Sequence, residues 1–106
     1  MAKIAFFEIE DWEKAYIKKK LKGHDIIFFK EPLTKKHVPK ISKHDIAAVF
    51  IYSNVNKDVL AKLPNLKLMA TMSTGFDHID LKECKKRNAY ISNAQDIYGI
   101  FLKSSK

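Results

Sequence analysis

Cysteine is nearly absent from this chain of 106 residues: Cys84 stands alone. One thiol builds neither a disulfide framework nor a thiolate metal cluster. Glycine and proline are scarce, three of each, and no linker, repeat or low-complexity tract appears. No apolar run approaches the ~20 residues that a membrane helix needs. In the opening MAKIAFFEIEDW, Glu8, Glu10 and Asp11 stand where a secretory leader would place an apolar core and a cleavage site. A cytoplasmic setting is therefore expected. Arginine occurs once, at Arg87, although basic residues number 20 against 12 acidic ones, a formal charge of +8. Lysine is a hydrated point charge without the planar fork that reads base edges. The excess therefore reads as solvated surface rather than a nucleic-acid site, with only a weak, salt-sensitive pull on polyanions.

What is present is an ordinary globular composition, 46% apolar, in a chain long enough for one domain with a real core. Strand and helix patterns alternate. Lys3–Ile9 is a nearly continuous apolar run, as in a strand covered on both faces. Asp11 is expected to cap a helix reaching Leu21, with Trp12, Ala15, Tyr16 and Leu21 facing inward and Gly23 as its stop. Further strands are predicted over Asp25–Phe29, Ile46–Tyr52, Leu66–Thr71 and Ala89–Ser92. Asn56 caps a helix that Pro64 ends, and Thr34 can cap a turn before Pro39 breaks any longer helix. Asp80 and Glu83 have capping-box spacing at the head of a basic helix, Leu81–Arg87. Cys84 in that helix reads as a small packing residue, its pKa modestly lowered by Lys82, Lys85 and Lys86. Five such units predict a flavodoxin-like open parallel five-stranded sheet, order 2-1-3-4-5, with helices on both faces.

Ligands of such sheets sit beyond the carboxyl ends of the strands. That rim gathers Glu8–Asp11, Tyr52–Asn54, Ser73–Gly75 and Asn93. Ser73-Thr74-Gly75 is the leading candidate site. A strand stopping in Ser-Thr-Gly leaves backbone N–H groups unpaired, and Gly75 lets the chain approach a small anion such as a carboxylate. Tyr52 and Ser53 end the third strand on the same rim. The acidic trio Glu8, Glu10 and Asp11 raises a phosphoacceptor receiver fold, but that fold needs an aspartate where Tyr52-Ser53 stands and a lysine where Asn93 stands. Glu10 and Asp11 are better read as helix-start residues. His24, His37, His44 and His78 lack metal-site spacing, and His78 reads as structural.

The stretch LKLMATMSTGFDHIDLKEC resembles the substrate-domain loop of the NAD-dependent D-2-hydroxyacid dehydrogenases, the family that includes D-lactate dehydrogenases. KIAFFEIEDWEKAYIKKKLKGHDIIFF and AAVFIYSNVNKDVLAKLPNLKL match the order and character of that domain's opening elements, so the resemblance covers roughly residues 1–93. It implies that the backbone N–H groups of Thr74 and Gly75 hold the carboxylate of a small 2-hydroxy or 2-keto acid, and that Tyr98-Gly99 matches a pair near an interdomain crossing. It also implies a second domain with a glycine-rich NAD fingerprint and a catalytic Arg, Glu and His, none of which this sequence contains. Met72 stands where relatives commonly carry arginine, Pro39 falls in a normally helical stretch, and residues 94–106 diverge as a tail. The substrate-binding candidates are thus Ser73, Thr74, Gly75, Tyr52 and Tyr98, with no catalytic, cofactor-binding or metal residue. The reading is an isolated or truncated substrate (catalytic) domain, inactive alone, forming a homo-oligomer through its tail or an exposed face. The alternatives are a non-enzymatic flavodoxin-like interaction module that self-associates and a lysine-rich polyanion binder.

Overall fold

β1 (Lys3–Phe6), β2 (Asp25–Phe28), β3 (Ile46–Val49), β4 (Leu68–Thr71) and β5 (Tyr90–Asn93) form one sheet in the order β2-β1-β3-β4-β5. Every pairing is parallel. The structure is a computed structural model and describes residues 2–71 and 77–93. Between the strands run α1 (Asp11–Lys20), α2 (Val38–Ile41), α3 (Lys57–Ala61) and α4 (Leu81–Lys86), with a 3-10 turn at Lys35–His37 ahead of α2. The expected fold class and strand order are those observed.

Alternation along the strands sorts the core into two layers. Ile4, Phe6, Ile46, Ala48 and Ala70 point to one face and pack with Ile17 and Leu21 from α1 and the residue that follows it. Ala5, Phe7, Ala47, Val49 and Met69 point to the other, under α2, α3 and α4. Alanine at 5, 47, 48 and 70 keeps the central strands thin, so helices can approach a sheet buried on both sides. At the β1–β2 edge Phe6 stacks on Phe28 at 5.7 Å and Phe7 on Phe29 at 4.7 Å, within the range favoured by offset rings.

Several boundaries and one helix face differ from expectation. β1 ends at Phe6 rather than Ile9, because Glu8 turns the chain at φ +62°. β3 ends at Val49, since the Phe50 N–H donates to the Glu8 carboxylate instead of a neighbouring strand. β4 starts at Leu68, because the Leu66 N–H closes a turn on the Leu63 carbonyl. The cap of α1 is Glu10, whose N–H donates to Glu13 Oε1 at 3.0 Å; Asp11 is the first helical residue. The inward stripe of α1 is Ile17 with the following Leu21, whereas Trp12, Ala15 and Tyr16 are exposed. The helix is registered by the buried aliphatic positions, and its aromatics go to solvent. Pro39 is accommodated because it falls in the first turn of α2, where its missing N–H has no helical partner to lose. The box at α4 is half formed. Asp80 Oδ1 accepts from the Glu83 N–H, but the Asp80 N–H donates to the Val55 carbonyl.

Candidate functional site

The carboxyl ends of β1, β3 and β4 open onto one rim, and three loops meet there. After β1, Glu8 sends its side chain across to the loop after β3. Its Oε2 accepts from the Phe50 N–H at 2.8 Å and from the Ser53 hydroxyl at 2.6 Å, and its Oε1 accepts from the Tyr52 N–H at 3.0 Å. Ser53 is fully buried and its Oγ accepts in turn from the Leu33 N–H at 2.9 Å. The Glu8 N–H donates to the Glu31 carbonyl at 3.2 Å. Glu8, through its carboxylate and its backbone N–H, and Ser53 together tie the loops after β1, β2 and β3 into a single support.

The loop after β4 is anchored on both flanks. Thr71, buried at the end of β4, has its Oγ1 2.9 Å from His78 Nε2. Val55 donates to the His78 carbonyl and accepts from the Asp80 N–H, each at 2.8 Å, in a parallel bridge opposite Ile79. Asp80 then caps α4. His78 is thus an anchor, as its place before the cap suggests.

Tyr52 is brought to this rim with its side chain 74% exposed, while its backbone N–H is held by Glu8. Ser73, Thr74, Gly75 and Tyr98, with Met72, lie outside the described residues. Sequence reasoning missed Glu8 as an organiser, having weighed it only among the acidic trio. The available signal was a lone charge inside the apolar run KIAFFEI, at the point where β1 reaches the rim. Beside the rim, His37 is buried edge-on to Phe7 and Phe29, at 5.2 and 4.9 Å, and its Nε2 is 3.4 Å from Glu31 Oε1. Glu31 is held below the usual carboxylate range, chiefly by the N–H of its own backbone and then by His37.

Cys84 departs from expectation. Burial pushes the thiol up to about 11, and the nearby Asp80 and Glu83 carboxylates add to the shift. The lysines of α4 do not lower it, because desolvation of a fully buried sulfur outweighs charges held in solvent. Among the described residues no three His, Cys, Asp or Glu side chains are grouped to hold a metal. A cavity of about 550 Å³ lies against β5 and α4, lined by Leu81, Lys85, Asn88, Ala89, Tyr90 and Ile91. It shares none of the rim residues above. What the rim offers chemically is hydrogen bonding and positioning.

Residues 4–99 match the family described as "D-isomer specific 2-hydroxyacid dehydrogenase, catalytic domain". The chain belongs to that family. A 2-hydroxyacid dehydrogenase homolog of Zymomonas mobilis is 31% identical over 90 residues, covering 81% of this chain and 27% of that protein. The glyoxylate reductase of Thermococcus litoralis is 29% identical over 79 residues, 72% of this chain and 24% of that one. D-lactate dehydrogenase from Aquifex aeolicus, solved in complex with NAD and lactic acid, is similar at a TM-score of 0.80 and 29% identity, over 85% of this chain and 27% of its own. This D-2-hydroxyacid dehydrogenase catalytic domain thus spans about a quarter of these relatives' length. Its glycines, at 23, 75 and 99, cannot form the G-x-G-x-x-G loop that cradles a dinucleotide pyrophosphate. No helix among the described residues is long and apolar enough to cross a membrane.

Proposed function

We propose that this chain is the substrate-binding part of a D-2-hydroxyacid dehydrogenase and that it binds small 2-hydroxy or 2-keto acids without turning them over by itself. The observation that carries the reading is the rim. Thr71 at the end of β4 is bonded to His78, and Val55 bridges Ile79, at the edge where open parallel sheets take their ligands. Backbone N–H groups of Thr74 and Gly75 are the proposed carboxylate donors. Tyr52 and Tyr98 supply phenols, and Ser73 shapes the turn. Residues 1–93 make the domain and 94–106 a divergent tail. Hydride transfer needs a cofactor held against the substrate and an acid or base at its carbonyl, which this reading assigns to residues beyond these. A cytoplasmic setting belongs to the same reading, since the lone buried thiol calls for no oxidising compartment.

Titration with lactate or glyoxylate, followed by amide NMR, tests the binding. Dissociation constants in the millimolar range, roughly 4 kcal/mol, are expected, with shifts centred on Thr74, Gly75 and Tyr52. Shifts confined to distant lysines would refute it. Incubation with NADH and a panel of 2-keto acids should leave nicotinamide absorbance unchanged, and turnover that survives purification would refute the inactivity.

A second reading, a flavodoxin-like module that self-associates, is favoured by the β5 edge. There Tyr90 is 79% exposed and Leu81 45% exposed.

A further inference from the structure

We infer that Glu8 is a positioning residue for the ligand: its carboxylate fills the cradle formed by the Phe50 N–H, the Tyr52 N–H and the Ser53 hydroxyl, and so fixes where Tyr52 stands on the rim. This rests on the proposed carboxylate-binding role of the rim.

The three donors converge on one carboxylate at 2.8, 3.0 and 2.6 Å. Successive backbone N–H groups gathered in a turn make a natural anion cradle, and here the anion is part of the protein. The turn is closed behind it by the Ser53 N–H donating to the Phe50 carbonyl at 3.2 Å. Ser53 also accepts from Leu33, so the cradle cannot shift without breaking a buried bond.

The backbone of Glu8 argues the same way. Its φ of +62° is a left-handed conformation that side chains other than glycine's seldom adopt. Glycine would take that turn without strain but would bring no carboxylate. The strain is held where three loops meet, at a rim, which is the kind of place where such outliers accompany function. Charge-assisted bonds of this length are the strong ones, and all three act on the short stretch that carries Tyr52. Tyr52 keeps its ring in solvent while its backbone is clamped. A ring free to meet a ligand on a fixed main chain is a pre-organised contact.

The test uses the full chain and glyoxylate as probe. Glu8→Gln keeps the size of the side chain and loses its charge. It is expected to weaken glyoxylate binding at least ~5-fold, and to move the Tyr52 ring resonances. Tyr52→Phe should weaken binding too, and Glu8→Gln in the Tyr52→Phe background should add little, since both act through the same contact. An undiminished effect of Glu8→Gln in that background, or unchanged affinity in the single variant, overturns the inference while leaving carboxylate binding intact. Absence of binding in the unaltered chain overturns the proposed function itself, and this role with it. A readout on the unaltered chain covers the case in which the variant does not fold. The Tyr52 amide, although its side chain is in water, should be protected from hydrogen exchange, and free exchange there would also overturn the inference.

Discussion

Cys84 lies on the buried face of α4 with no solvent exposure, after Asp80 at the cap and Glu83 one residue before it. Burial holds its folded pKa at about 11, above the ordinary thiol value of 9.0, so the folded chain keeps its thiol proton where the unfolded chain has lost it. The stabilisation is therefore fully present below about pH 9 and is lost as the pH rises toward 11. The informative quantity is the difference between the chain and Cys84→Ala. Urea midpoints measured from pH 8 to 11 should fall more steeply for the chain than for the variant, and parallel curves would contradict the assignment. Ellman's reagent at pH 8 should label the thiol only after urea is added. At this scale the sequence was legible for residues whose role is local. Asn56 caps α3 by accepting from the Val59 N–H at 3.0 Å, as its place ahead of the helix suggested. It was not legible for Glu8 and Ser53, whose partners lie 20 to 45 residues away, because local pattern can mark a charge in an apolar run but not the group it meets across loops.

Helix α1 shows what periodicity reads and what it misreads. Its existence followed from the capping sequence and the stop at Gly23, which adopts φ +96°. Its facing did not follow, because Trp12 and Tyr16 are the largest apolar side chains in the segment yet lie 75% and 53% exposed. The sheet decides. Ile4, Phe6, Ile46 and Ala48 leave a surface that Ile17 and Leu21 fill, while Tyr16 remains outside with Lys20 Nζ 5.6 Å from its ring centre. The strands were found by their apolar runs but not their ends, since apolar burial continues past the ladder: Phe7 and Ile9 are as buried as β1 itself. A direct consequence concerns two substitutions on one helix. Ile17→Ala opens a cavity in a layer with no slack and should cost about 2–5 kcal/mol. Trp12→Ala removes a larger side chain from solvent and should stay within roughly 0.5 kcal/mol. Urea denaturation of both variants checks the orientation, and a larger loss from Trp12→Ala would reverse it.

Across the whole molecule the two edges of the sheet are unlike. At the β2 end, rings stack across the β1–β2 pair, and the Glu31–Leu33 segment after β2 is tied to Glu8 and Ser53. The β5 edge carries exposed Tyr90 and the cavity beside α4. A terminal strand of a sheet with an apolar flank invites pairing, and the sequence adds Ile97, Tyr98, Ile100, Phe101 and Leu102 just beyond Asn93. Burying several such side chains is worth several kcal/mol at about 25 cal/mol per Å² of apolar area. Against it stands the charge of +8 on every copy, which repels a second copy over a Debye length of about 10 Å at 0.1 M salt and about 3 Å at 1 M. The two forces give self-association a definite salt response. Adding salt screens the repulsion and leaves the apolar term in place, so dimer formation should strengthen between 0.1 and 1 M sodium chloride. Binding of a polyanion must go the other way, because salt competes for every phosphate contact that lysine makes. Sedimentation velocity across that range, with and without a short oligonucleotide, separates the two. A dimer that grows with salt and does not require the nucleic acid supports the β5 edge as the interface, and Tyr90→Lys should abolish it. A complex that forms only with the oligonucleotide and dissolves in salt would assign the lysine excess a partner and leave the edge without one.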